Sequence, residues 1–131
     1  MVNPHPHFDD KGTLDWQTRY AEALAAAKAQ GKLVFIELGR LQCSQCKTLV
    51  QNIVTRPDIA PVLQQHYIAL AADADDSEDE VIDLAGNLDD AYMLPFVMFC
   101  DANGAFLGGS SGQVNPLSFA NTVKKLAGLS S

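Results

Sequence analysis

Leu33-Val34-Phe35-Ile36-Glu37-Leu38-Gly39-Arg40-Leu41-Gln42-Cys43-Ser44-Gln45-Cys46 is the stretch whose reading decides the fold. Residues 33–38 read as a strand that is apolar on both faces, as in a central strand covered by helices on each side. Residues 39–42 are the turn that delivers Cys43. Beyond the second cysteine, Leu49, Val50, Ile53 and Val54 recur at helical spacing. Two thiols three positions apart therefore stand where a strand gives way to a helix. The first helical turn has backbone N–H groups without intrahelical partners, and the macrodipole adds partial positive charge there. A thiolate at that end is stabilised, so its pKa falls and it becomes a nucleophile near neutral pH. The second thiol, about one turn on, is close enough to attack a mixed disulfide and release the product.

The whole chain sets the bounds. Its 131 residues suit one domain with a real core. Apolar residues make up 47% and charged residues 19%, an ordinary globular composition. The net charge of −7 argues against nucleic acid, because phosphate binding needs a basic face. No apolar run approaches the roughly 18–20 residues of a membrane span. The first seven residues, Met1-Val2-Asn3-Pro4-His5-Pro6-His7, have neither a basic n-region nor an apolar h-region, so the expectation is a chain without a signal peptide, with Met1 an added start on a trimmed form. Three cysteines are too few for a disulfide scaffold, and one CxxC in a βα setting points to redox chemistry.

Along the chain, residues 1–14 read as a flexible tail and 15–131 as a single domain. Asp15 is the expected N-cap of a helix over 16–30, with Trp16, Tyr20, Ala23, Leu24 and Ala27 on its buried face and Gly31 closing it. The helix after the motif should stop near Thr55-Arg56, before Pro57. A short helix over 58–65 follows, capped by Asp58, and then a strand over 66–72. Residues 73–90 hold nine acidic residues and no basic ones. They read as a solvated loop running into a helix with Val81, Ile82, Leu84 and Ala85 inward. The run lacks the Gly at position six and the Glu at position twelve of a calcium loop. Residues 96–100 are another strand, 101–104 a turn, 105–107 its antiparallel partner, and 108–112 a flexible connection. Asn115 as N-cap and Pro116 at the first helical position start the last helix. Its expected buried face is Leu117, Ala120, Val123 and Leu126; Lys124 and Lys125 suit its negative pole, and Gly128 ends it.

This order resembles the thioredoxin fold over roughly residues 15–127, and looks most like the domains grouped with the C-terminal domain of bacterial transmembrane disulfide reductases. Three features carry the likeness: Cys43-Ser44-Gln45-Cys46-Lys47 at the strand-to-helix junction, Glu37 six residues before Cys43, and Met93-Leu94-Pro95-Phe96 just before a strand. The resemblance implies a three-layer α/β fold, a central mixed sheet with helices on both faces and an N-terminal helical extension. It implies a monomeric thiol–disulfide oxidoreductase that reduces disulfides in protein substrates, is served by an upstream dithiol reductant or oxidant, and needs no cofactor beyond its own redox-active disulfide. Cys43 would be the exposed nucleophile and Cys46 the buried resolving thiol. Pro95 would be cis, lying against the sulfurs, with the backbone of Leu94 free to pair with an extended substrate. Glu37 would sit beneath as proton acceptor for Cys46, its pKa raised by burial. A periplasmic or exported setting is the expectation, with a cytoplasmic one as the alternative.

Departures from the family pattern matter too. Gln42 stands where an aromatic residue usually precedes the first cysteine, and Gly39-Arg40-Leu41 lacks the common aromatic, so the surface around Cys43 should be less apolar. Ser44-Gln45 brings no histidine to stabilise the thiolate, which points to a reducing or intermediate potential. Arg40 is either a solvated turn residue or a cation that lowers the Cys43 pKa. The CxxC is open to two other readings, a structural disulfide or part of a metal site. Further metal ligands would come from Cys100, His66 or the pair His5 and His7. Cys100 reads as a small buried hydrophobe. Two alternative functions stay open, a metal-binding or metallochaperone module and a non-catalytic binding protein on the same fold.

Overall fold

The computed structural model describes residues 2–89 and 93–129. Met1 of the expected tail, Asp90 at the end of the acidic run, and residues 130 and 131 lie outside the described residues. Trp16–Gln17 (β1), Leu33–Gly39 (β2), Tyr67–Asp73 (β3), Phe96–Cys100 (β4) and Phe106–Ser111 (β5) form one mixed sheet in the order β1-β3-β2-β4-β5. β3 is parallel to both β1 and β2, while β4 is antiparallel to β2 and β5. The helices are Tyr20–Gln30 (α1), Ser44–Thr48 (α2), Ala60–His66 (α3), Asp79–Ala85 (α4) and Pro116–Leu126 (α5), and α2 continues into a π-helical turn over Leu49–Ile53.

The apolar period of two in β2 splits the core into two layers. Val34, Ile36 and Leu38 pack with Ala23 and Ala27 of α1 and with Val81 and Leu84 of α4. Phe35 faces the other way, among Leu49, Val50, Leu63, Phe119 and Val123. The α/β three-layer architecture expected for the chain is thus present, with β2 at its centre and Cys43 just past the end of that strand. Asn115 caps α5 through its Oδ1, which accepts the N–H groups of Leu117 and Ser118.

Several local expectations are corrected. The described part of the 1–14 segment is packed, not a loose tail. Phe8 and Leu14 join the core, and His5 and Asp10 are buried. Asp10 Oδ2 accepts hydrogen bonds from Trp16 Nε1 at 2.9 Å and from the Leu14 N–H at 3.0 Å. Trp16 begins no helix: it pairs with Ala69 as an edge strand, and Asp15 accepts the Asn3 N–H in place of capping α1. The cap comes from far along the chain, where Glu78 Oε1 accepts the Tyr20 N–H at 2.7 Å. Asp58 pairs with Arg56 and caps nothing, and α3 starts after Ile59. Ile82 and Leu117 are exposed, and Phe119 takes the buried place expected of Leu117. The glycine-rich 108–111 stretch belongs to β5, where a Cβ on Gly109 would collide with the Val97 carbonyl of β4.

Candidate functional site

Cys43 and Cys46 are joined as a disulfide. Cys43 is half-buried at the N-cap of α2, and its Sγ accepts the Cys46 N–H at 3.1 Å. That is the unpaired first-turn N–H the strand-to-helix junction supplies, now aimed at sulfur. Cys46 is 0% exposed. Cys43 therefore lines an open groove, and Cys46 lies in the core.

Glu37, 1% exposed, projects from β2 beneath the pair. The point where a Cβ on Gly39 would stand lies against both Glu37 Oε2 and Cys46 Sγ. The missing side chain of Gly39 leaves the opening through which carboxyl and sulfur face one another. Burial holds the Glu37 carboxyl above its ordinary range; the hydrogen bond from His5 pulls it back, and Asp73 pushes it further up. His5 Nε2 stands 2.7 Å from Glu37 Oε1. His5 Nδ1 accepts the backbone N–H groups of His7 at 3.0 Å and Phe8 at 3.2 Å, so the ring proton is on Nε2 and is donated to Glu37.

The Leu94–Pro95 bond is cis, and the Gly112 N–H donates to the carbonyls of Met93 and Pro95. Leu94 and Cys43 line a common groove of about 620 Å³ with Ile82, Met93 and Phe96. Ile82 is 50% exposed and Met93 65%. The surface expected to be less apolar for want of an aromatic beside Cys43 regains apolar groups from α4 and from the proline loop. Arg40 lines the same groove, but its guanidinium pairs with Asp75 at 3.2 Å.

Of the other residues considered from sequence, Cys100 lies in the opposite core layer, its thiol pushed up to about 11 by burial and by Asp101. His7 reaches Asp73 at 3.8 Å. Among the described residues no group of three or more His, Cys, Asp or Glu is arranged to hold a metal ion. None of the described helices is long and apolar enough to cross a membrane. Sequence reading missed His5 and Gly39 as parts of the site. A signal for His5 existed: a glutamate in a fully apolar strand needs a donor, and Phe8 and Leu14 are poor residues for a solvated tail.

A model of a family described as thioredoxin-like matches residues 15–102. The chain belongs to this thioredoxin-like family. No curated protein matches the sequence. The chain is similar in fold to a thioredoxin from Thermus thermophilus, with a TM-score of 0.70 at 19% identity over 87% of each chain. A putative disulphide-isomerase from Bacteroides thetaiotaomicron gives a TM-score of 0.69 at 20% identity, covering 90% of this chain and 93% of its own. A disulphide isomerase from Xylella fastidiosa Temecula1 gives 0.60 at 18% identity, covering 80% of this chain and 86% of its own. The cis-proline loop and the CxxC of this thioredoxin-like chain thus sit on a shared scaffold, while His5 falls outside the matched residues.

The raised Glu37 carboxyl has a consequence for stability. While protonated it costs the fold nothing extra. As pH rises from the ordinary carboxyl value of 4.5 through the higher native value, the folded protein holds a proton that the unfolded chain has lost, so stability falls across that window and then levels. Glu37→Gln removes the ionisation. The oxidised variant should match the wild type near pH 4 and exceed it above the native value, by about 1.4 kcal/mol per unit of the raise. Urea denaturation of both proteins across pH reads this out; parallel curves would mean Glu37 titrates normally.

Proposed function

We propose that this protein is a thiol–disulfide oxidoreductase that reduces disulfides in partner proteins through Cys43 and Cys46. The single observation that carries the reading is the asymmetry of the pair: a cysteine at a helix N-cap that lines an open groove, bonded to a buried cysteine whose sulfur faces a carboxyl. In the reduced protein the Cys43 thiolate attacks one sulfur of a substrate disulfide. The substrate S–S bond breaks, a Cys43–substrate disulfide forms, and the leaving thiolate takes a proton from water. Cys46 then gives its proton to Glu37, and its thiolate attacks Cys43 Sγ. The second substrate sulfur leaves as a thiolate and is protonated, and the Cys43–Cys46 disulfide forms. The substrate gains two electrons from the cysteine pair; of its two protons one comes from water and the other from Cys46 by way of Glu37, and a dithiol donor restores the pair.

Leu94 forms the substrate side of the groove in this reading, its backbone pairing with an extended peptide next to Cys43, and the buried cis Pro95 behind it sets the course of that backbone. The finer kinship, to the C-terminal domain of bacterial transmembrane disulfide reductases, belongs to the same proposal. So do a monomeric working state and a periplasmic or exported compartment, where protein disulfides persist.

The test is trapping. Cys46→Ser, reduced and mixed with oxidised insulin, should accumulate a disulfide between Cys43 and an insulin chain, visible by mass spectrometry, while Cys43→Ser should form none. Titrated against glutathione, the wild-type pair should lie on the reducing side of about −180 mV. No adduct on the Cys46 variant and no exchange by the wild type would end the proposal, and a potential near about −120 mV would make the protein an oxidant instead.

A further inference from the structure

The N-terminal segment contributes a side chain to the redox site, and the hydrogen-bond pattern around it has a direction. We propose that His5 is a positioning residue for the Cys43–Cys46 reaction: it occupies one oxygen of Glu37 so that the other is held toward Cys46. The proposal rests on the oxidoreductase reading above, and deepens it by adding a residue from outside the matched family region.

A carboxylate has two oxygens and can swing about its terminal torsion. Here Oε1 is taken by His5 Nε2–H at 2.7 Å, and Oε2 is the oxygen across the Gly39 opening from Cys46 Sγ. The imidazole is itself fixed. Its Nδ1 accepts two backbone N–H groups, from His7 and Phe8, so the ring has only one proton-bearing nitrogen to offer. Its faces and edge are held by Phe8, with ring centroids 5.5 Å apart, and by Trp16 at 4.7 Å. Trp16 is tied in turn to Asp10 through Nε1 and to the Asn3 carbonyl through its N–H. The bonds through the imidazole run one way, from the His7 and Phe8 N–H groups to Nδ1 and from Nε2–H to Glu37, while the Trp16 bonds to Asp10 and Asn3 hold the ring's neighbour in place.

The chemistry that follows concerns when Glu37 can take a proton. A donor to the ionised carboxyl favours the ionised form, and a buried carboxylate without one holds its proton to higher pH. The titratable groups facing Glu37 are His5 from the N-terminal segment, Asp73 from the end of β3 and Cys46 from α2; its partners across the sheet, Ala71 on β3 and Val97 on β4, carry none. Asp73, with His7 at 3.8 Å, pushes Glu37 toward the protonated form, and His5 opposes it. Without His5, Glu37 would hold its proton to higher pH and be a poorer acceptor for the Cys46 proton.

The experiment follows the Glu37 carboxyl by 13C NMR in the oxidised full chain, with Glu37→Gln to assign the signal. His5→Phe should raise the titration midpoint by about one to two pH units, the shift expected for loss of a hydrogen bond to a charged group. His5→Gln, whose amide N–H can reach the same oxygen, should restore most of it. In single-turnover assays, release of substrate from the Cys43 mixed disulfide should slow about 10- to 100-fold at neutral pH in His5→Phe and recover in His5→Gln. Ring 15N shifts of the wild type should show the proton on Nε2. A proton on Nδ1, or a midpoint unmoved in His5→Phe even with lower thermal stability, would overturn the positioning role and leave His5 a packing residue. A moved midpoint in a protein that exchanges with no disulfide would instead retire the oxidoreductase reading while leaving the His5–Glu37 coupling in place.

Discussion

Gly39→Ala should lower stability by about 3 kcal/mol, the upper end of the usual overpacking cost, and disable the resolving step. The backbone is not the reason. Gly39 lies at the end of β2, is absent from the residues with positive φ, and offers a conformation alanine adopts freely. The reason is the occupant of the space. The added methyl would overlap Glu37 Oε2, stand 2.7 Å from Cys46 Sγ and press on Cys46 Cβ at 3.2 Å. None of these can move cheaply. Glu37 is held by His5, Cys46 is tied to Cys43, and the Gly39 carbonyl is fixed by the Ala74 N–H at 2.7 Å. The methyl must then push carboxyl and sulfur apart, which breaks the proton path along with the packing. Urea denaturation together with single-turnover release from the mixed disulfide checks both halves. An alanine variant with wild-type stability and release rate would show that the opening is not needed.

Phe35→Ala should cost about 3–5 kcal/mol, a large share of the roughly 5–15 kcal/mol that holds a domain together. Phe35 is 0% exposed and sits where three aromatic neighbours converge: Trp16 at 5.9 Å, Phe99 at 5.8 Å and Phe119 at 5.5 Å between ring centroids. Those neighbours come from β1, β4 and α5, so no single element can shift to fill the cavity. The ring contacts add to the area term, because edge-on and offset pairs are worth more than their buried surface. Cys46 belongs to the same core layer, and the loss should loosen the resolving sulfur as well. A destabilisation under about 2 kcal/mol would mean that the layer collapses around the gap.

How much of this was legible in the sequence depends on the range of each interaction. The motif junction was legible because strand, turn and helix signals there are consecutive. α5 was legible because its cap, its proline and its terminal lysines act within a turn of their own backbone. The exposure of Leu117 and Ile82 was not, since helical spacing defines a stripe and the neighbours decide where the stripe ends. β5 was cut short because glycines in a strand look like a linker until a facing carbonyl is known to require one. The start of α1 was misplaced because its cap, Glu78, is 58 residues away in the chain.

The sequence alone determined the central strand and the two thiols at its exit, through periodicity and local spacing, while Glu37 and Pro95 were placed at the site by the thioredoxin resemblance. The tertiary structure alone decided that His5 holds Glu37 from 32 residues away and that Gly39 is the gap between acid and sulfur. Local propensity describes what a segment does on its own backbone; which donor satisfies a buried carboxyl is settled only when distant segments close around it.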